Sequence, residues 1–381
     1  MAAHAPSLKT ERLLQTFLEM VGIDSPSGHE DAFRDWLRER LGQLGIASWV
    51  DVGGNLIADI PGNRCAHQSL LVVSGHMDVV PPCLGVRPVV EGDGEDRLVR
   101  SDNTTVLGAD DKAALAAILE AIQISLEQDL PRPPLRLILT TREETYLQGA
   151  FELDPKAYEN ARFALVFDHT GEQGTLITQA PSYYEFTIEC HGKAAHAGMN
   201  PEDGVNAIVL AARIINRLRV GRLDEWTTAN VATIQGGKAT NIVPDRALIR
   251  GELRGHDTAR LQAELAHIER VVQEERDGFA SGCNALFEAI ERFRAYRVDP
   301  EVEGVRRVEG AMTRLGIPIR RTHTNGGSDN NVFALHGLPG VVLSAGYVDP
   351  HALTERIRVK DLNACAHLLS ALLEDFAAAP F

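Results

Sequence analysis

Residues 69–78 read SLLVVSGHMD, a short run of leucine and valine closed by a glycine, an imidazole and a carboxylate. A run this short and this apolar predicts a buried strand rather than a helix. The pattern recurs in LRLILTTREE at 135–144 and RFALVFD at 162–168. It returns in GVVLSAG at 340–346, with His351 a few residues beyond. Each run delivers metal-type side chains just past its carboxyl end: His76 and Asp78, Glu143 and Glu144, Asp168, and His351. In open α/β sheets that edge is where ligands bind, so positions far apart in sequence are expected to converge on one crevice.

Working outward, the apolar spacing from Leu8 to Ile46 is helical and breaks at Ser25-Pro26-Ser27-Gly28, which predicts a helical hairpin. The alanine-rich stretch Asp111–Leu126 predicts a helix between the first two strands. Alternating strands and helices imply a mixed, largely parallel sheet between helices, hence an α/β class. The texture changes near Ala180. Tyr184, Phe186, Ile188 and Cys190 alternate with Glu185, Thr187 and Glu189, the period of a strand with one wet face. A helix is expected to start at Asn200-Pro201, with Val205, Ile208, Ala212 and Ile215 as its apolar stripe. Strand-like runs at Trp226–Ile234 and Arg246–Arg254 and a charged helix at Thr258–Glu275 complete an α+β unit with an antiparallel sheet. From about Pro300 the α/β texture returns, with a helix at Glu303–Leu315, a strand at Val341–Ser344 and a closing helix after Lys360. The expected organisation is a discontinuous catalytic domain, 1–180 and 296–381, interrupted by an inserted lid or dimerisation domain, 181–295.

Composition narrows the function. The chain has 381 residues, 44% hydrophobic and 24% charged, enough for a sizeable core in two to three domains. Its formal net charge of −15 argues against nucleic acid or an anionic membrane surface as partner. Five cysteines without CxxC spacing predict a reduced, cytoplasmic protein with no disulfide framework. The amino-terminal MAAHAPSLKTER lacks the apolar core of a secretion signal, and no stretch is long and apolar enough for a membrane span.

The strand-end positions, joined by Asp110 at the start of the alanine-rich helix, give two imidazoles and a set of carboxylates without thiolate. Such donors suit Zn2+, Mn2+ or Co2+ rather than a structural cysteine-type zinc. Two ions about 3.5–4 Å apart can polarise a carbonyl and acidify a water. That chemistry needs a proton carrier, and Glu143, adjacent to Glu144, is suitably placed for one. Asp78, two residues after His76, can accept the second ring N–H of that histidine.

The strings GHMD (75–78), GADDKAALAAIL (108–119), TREET (141–145), DHTGE (168–172), KAAHAG (193–198), GGSDNNVF (326–333) and GYVDPHALTE (346–355) occur in that order. Together the chain resembles the co-catalytic zinc exopeptidases, the family of peptidase T, the carboxypeptidase G type enzymes and the aminoacylases, and leans toward the peptidase T-like branch. The resemblance implies two divalent ions bridged by Asp110, with His76 and Asp168 on one and Glu144 and His351 on the other. It also implies a cis bond between Asp110 and Asp111, Glu143 as general base, and Asp78 in support of His76. His196 would stabilise the oxyanion across a dimer interface, and Asn241, Arg254, Gly327 and Ser328 would contact substrate. Aspartate at 168, where carboxypeptidase and desuccinylase relatives usually carry glutamate, tilts the expected reaction toward a tripeptide aminopeptidase. An N-acyl amino acid amidohydrolase or carboxypeptidase of the same family is the alternative, ahead of a non-catalytic binding protein or an unrelated two-metal phosphoesterase.

Overall fold

The computed structural model describes residues 8–65 and 67–381, so most of the segment read as lacking a secretion signal lies outside the described residues. The chain divides into two compact units. One runs to Gln179 and resumes at Arg297–Thr324 and Ser328–Phe381; the other comprises Ala180–Tyr296 with Asn325–Gly327.

In the first unit, SLLVVSGH forms the strand Leu70–His76 at the centre of a mixed sheet. It pairs in parallel with Leu135–Thr140 on one side and Ala161–His169 on the other. Gly340–Ser344 extends the parallel series beyond Ala161–His169. Leu56–Ile60 and Ser48–Val50 continue the opposite side in antiparallel sense, and Thr175–Ala180 lies antiparallel to Gly340–Ser344. Because the central strands run the same way, their carboxyl ends come out along one edge.

The helix Ala109–Glu127 packs against Leu70–His76 and Ala161–His169, and against the helices Thr10–Val21 and Val359–Ala378. It is buried almost all round, which its alanines permit because they let neighbouring backbones approach closely. One charged contact seats it: Glu120, 3% exposed, accepts a two-pronged hydrogen bond from Arg12 at 2.7 and 2.9 Å. Elsewhere the helices Thr10–Val21, Asp31–Gln43, Glu303–Arg314 and Val359–Ala378 lie close to the expected positions. Small strands at Val89–Glu91, Leu98–Arg100 and Arg356–Arg358, too short to carry a pattern, form a separate sheet.

The second unit is an antiparallel sheet in the order Gly221–Asp224, Thr227–Gly236, Arg246–Gly255, Ser182–His191, Asn284–Phe293. Phe186, Ile188 and Cys190 point into a core closed by Leu210, Ala211 and Ile214 of one helix and Ile268, Val271 and Val272 of another. Here the sequence reading needs correction. Pro201–Asp203 is only a single 3-10 turn, and the helix is Ala207–Arg217. Its cap is Asn206, whose side chain accepts the N–H groups of Ile208 and Val209 at 3.0 and 3.2 Å. Gly204 is extended and Val205 pairs with Lys193 in an antiparallel bridge, so the turn does not run on into the helix. The buried stripe is Ala207, Leu210, Ala211 and Ile214, shifted in phase from the expected one.

Candidate metal centre

Strand geometry places His76 at the last position of its strand, 1% exposed, with Nε2 facing outward over the carboxyl edge. That nitrogen lies 3.0 Å from Asp110 Oδ1 and 3.6 Å from Asp168 Oδ1. On the other side of Asp110, His351 Nε2 lies 3.4 Å from Oδ2 and 2.8 Å from Glu144 Oε1. The donor atoms of His76, Asp110 and Asp168 fall within 4.8 Å of one another, and so do those of Asp110, Glu144 and His351. The two groups share Asp110, and Glu143 joins His76 and Glu144 in a third.

Local backbone choices create this arrangement. The Asp110–Asp111 peptide is cis, and neither aspartate has helical torsions, so the regular helix begins only after them. Gly108 precedes them in the left-handed region, φ +75°, a conformation that favours glycine. Asp111 turns away from the crevice and accepts the backbone N–H of His76 at 3.2 Å. A Cβ on Gly75 would lie 2.4 Å from that carboxylate, so only glycine fits before His76. Arg142, Tyr146 and Leu147, flanking the acidic pair, and His351 itself all adopt positive φ. Such conformations persist where surrounding contacts over-determine them, often at functional sites.

His76 Nδ1 faces the backbone carbonyl of Asp78 at 3.0 Å, closer than its carboxylate at 3.5 Å. The carboxylate of Asp78 has other work. It accepts the N–H of Glu143 at 2.9 Å, the N–H of Glu144 at 3.2 Å and the hydroxyl of Ser27 at 2.7 Å. Asp78 thus supports His76 mainly through its main chain and fixes the Glu143–Glu144 loop through its side chain.

The electrostatics suit a cation. Burial raises Glu143 well above the usual carboxylate range, helped by the charge of Asp168, and it also raises Glu144 and Asp168. Asp110 goes the other way in spite of its burial, because His351 and His76 hydrogen-bond it. Burial alone would lower His76, yet its hydrogen bonds to Asp110, Asp168 and Asp78 hold its proton well above the ordinary imidazole value. Asp110 and Glu144 push His351 up to about 10. The surrounding acids thus hold both imidazoles toward their protonated forms. The donor set, mixed nitrogen and oxygen in two overlapping groups, fits divalent ions.

The remaining sequence candidates are distributed between the units. Ser328 belongs to the first, 2% exposed, at the amino-terminal cap of the helix Asp329–Leu335, its N–H donating to Asn331 at 3.1 Å. Within the second unit, His196 is exposed, and its Nδ1 accepts the N–H groups of Gly198 and Met199 at 3.2 and 3.1 Å. That leaves Nε2 to carry the ring proton. Asn241 runs beside it, its carbonyl accepting the N–H of Ala197 at 3.0 Å. Arg254 reaches Glu252 and the carbonyl of Asn325 and lies over the ring of Tyr183 at 4.5 Å. Gly327 fits against the ring of Phe293, where a Cβ would clash.

Comparison with known proteins adds independent information. Residues 182–278 match the M20-type peptidase dimerisation domain, and residues 55–206 match the peptidase family M28 model. Protein YqjE of Bacillus subtilis (strain 168) is 34% identical over 375 residues, 96% of this chain and 99% of that one. The crystal structure of a tripeptidase from Staphylococcus aureus superposes with a TM-score of 0.91 at 33% identity, covering 98% of this chain and all of that one. The aminopeptidase PepT from Bacillus cereus superposes with a TM-score of 0.86, also at 33% identity, over 98% and 100% of the two chains. The chain is an M20-family exopeptidase related to peptidase T.

In this M20 exopeptidase three further buried side chains support the cluster, and sequence reasoning overlooked two of them, Tyr347 and Glu355. Asp329 accepts the hydroxyl of Thr140 at 2.5 Å, and burial pushes it up to about 7. Tyr347 and Glu355, each 1% exposed, both reach Asp110. Tyr347 is not a metal-type side chain and Glu355 precedes a strand rather than following one, so the signal that found the other residues was silent for both.

Proposed function

We propose that this metallo-aminopeptidase holds two divalent ions, zinc by donor preference, and releases the amino-terminal residue of short peptides such as tripeptides. The observation that carries the reading is the pair of donor groups sharing Asp110 with Glu143 beside them. In it, His76 and Asp168 would hold one ion, Glu144 and His351 would hold the other, and Asp110 would serve both. Bound there, the ions supply Lewis acidity toward the scissile carbonyl and the attacking water.

The protein's own groups do the rest. Glu143 takes the proton of the water and returns it to the leaving amine. A buried carboxyl with a raised hold on its proton suits both halves of that shuttle. Asp78 holds the main chain of Glu143 and Glu144, so the base and a ligand share one anchor. His196, with its proton on Nε2, is the donor to the oxyanion from the partner subunit of a homodimer built through the inserted unit. The dimerisation-domain match supports that assembly. Asn241, Arg254, Gly327 and Ser328 serve the substrate. All five cysteines are free, which fits the reducing cytoplasm, and among the described residues no helix is long and apolar enough to cross a membrane. The test is to offer the metal-loaded protein a tripeptide with a free amine and its N-acetyl derivative. Turnover of the free peptide alone supports the reading, and preference for the acyl compound contradicts it.

A second prediction follows from the protonated imidazoles. Coordination needs neutral imidazole, so cation binding near neutral pH expels the protons held on His76 and His351. Protons compete with the ion, so affinity rises as pH is raised from neutral toward the His351 value of about 10 and falls on acidification. Calorimetric titration with Zn2+ in buffers of different ionisation enthalpy is expected to show this release. Heats independent of the buffer would contradict it.

A further inference from the structure

Tyr347, His351 and Glu355 lie four residues apart in the segment following Gly340–Ser344, and all three reach the same residue. The hydroxyl of Tyr347 donates to Asp110 Oδ1 at 3.0 Å, and His351 Nε2 lies 3.4 Å from Oδ2. Glu355 approaches from the main-chain side. Its two oxygens accept the N–H of Asp110 at 2.9 Å and the N–H of Gly108 at 2.8 Å. The segment is not a helix; Asp349 and His351 adopt φ +57° and +61°. Its base is pinched by a reciprocal pair of hydrogen bonds, Val348 N–H to Arg356 at 2.9 Å and Arg356 N–H to Val348 at 3.1 Å. That pinch holds the neighbouring residues Tyr347 and Glu355 close together. The carbonyl of Tyr347 also accepts from the N–H of Gly171 at 2.8 Å and the hydroxyl of Thr170 at 2.9 Å, tying the segment to the turn after Asp168.

The first N–H groups of a helix have no partner within it and are normally met by a capping side chain just ahead. Here Asp110 and Asp111, just ahead of the regular helix, are non-helical, and Gly108 before them has no side chain to offer. Glu355, more than two hundred residues further along the chain, supplies the acceptor for the N–H groups of Gly108 and Asp110. Each carboxylate oxygen has two lone-pair directions; on Oδ1 one takes the bond from Tyr347 and the other, met here by His76 Nε2, is the one a cation would use.

We propose that Tyr347 and Glu355 are positioning residues that clamp Asp110 by side chain and main chain, setting the direction in which its carboxylate faces the ions. The inference rests on the dinuclear reading of the site. Its test uses Tyr347→Phe, which removes one hydrogen bond and keeps the ring, and Glu355→Gln, which keeps the shape and loses an acceptor. Metal-free proteins are titrated with Co2+ while the visible absorption is followed, and amide exchange is measured across residues 107–112 without metal. Both variants are expected to bind Co2+ at least about 10-fold more weakly, as loss of an outer-sphere partner does, with an altered visible band. Glu355→Gln should in addition exchange faster at Gly108 and Asp110. Wild-type affinity and spectrum in both variants would overturn the clamp, whatever happened to their melting temperatures. Unchanged exchange in Glu355→Gln would overturn its main-chain half. If the unsubstituted protein took up no Co2+, the dinuclear reading would fall, while the exchange measurement would still decide whether Glu355 holds Asp110.

Discussion

The Glu143→Gln enzyme is expected to bind as much metal as the unsubstituted protein and to turn over on the order of 10³-fold more slowly, the usual loss when a positioned acid–base group is removed. Glutamine matches the side chain in size and keeps an oxygen in place, but it can neither accept the proton of the water nor pass one to the leaving amine. The backbone anchor is untouched, because Asp78 holds residue 143 by its N–H. KM should therefore change little while kcat collapses. Metal content per chain, measured beside initial rates on a tripeptide, separates this from a disordered site. Retained turnover would remove Glu143 from the mechanism, and loss of metal would make it a ligand instead.

Replacing Asp110 by Asn should act on the opposite quantity. Its carboxylate is the one element common to both donor groups, so the substitution removes charge from both at once. Asparagine retains a single oxygen and presents an amide N–H₂ where a second donor is needed. The expected result is a metal affinity at least about 100-fold weaker, at or beyond the upper end of what outer-sphere changes cause, and no measurable turnover at stoichiometric metal. The metal-free fold should survive. The main-chain bonds of residues 108 and 110 to Glu355 do not involve the substituted side chain. Equilibrium dialysis with Zn2+ followed by elemental analysis measures the effect. Full retention of two ions would contradict the bridging role.

How much of this was legible in the chain depended on length and alternation. The central strands were readable because each is a short apolar run cut off by polar residues, and the same cut-off marked His76, Glu143, Glu144 and Asp168. The long helices followed from their periodicity. Asn200 misled because Asn-Pro-Glu-Asp has every local feature of a helix start, whereas Val205 is drawn into a bridge with Lys193, outside that stretch. The edge strand Asn284–Phe293 was silent because it mixes buried Ala285 with exposed Leu286 and Ile290 and so lacks a clean alternation. Asp78 was found for a good reason but credited with too little. Sequence proximity pointed to His76, while three of its hydrogen bonds reach across the fold to Ser27, Glu143 and Glu144. Tyr347 and Glu355 were invisible as a pair because their relation is made by a loop pinch rather than by any repeat. The composition alone could not separate the acids that solvate the surface from those gathered at the strand ends.

Which end of the substrate is cut is the central chemical claim, and one digestion addresses it. The metal-loaded enzyme is given a tripeptide of three different residues, and the first products are identified by mass spectrometry before secondary cleavage accumulates. The expected products are the free first residue and the dipeptide of the second and third. Appearance of the free third residue with the dipeptide of the first and second would contradict it.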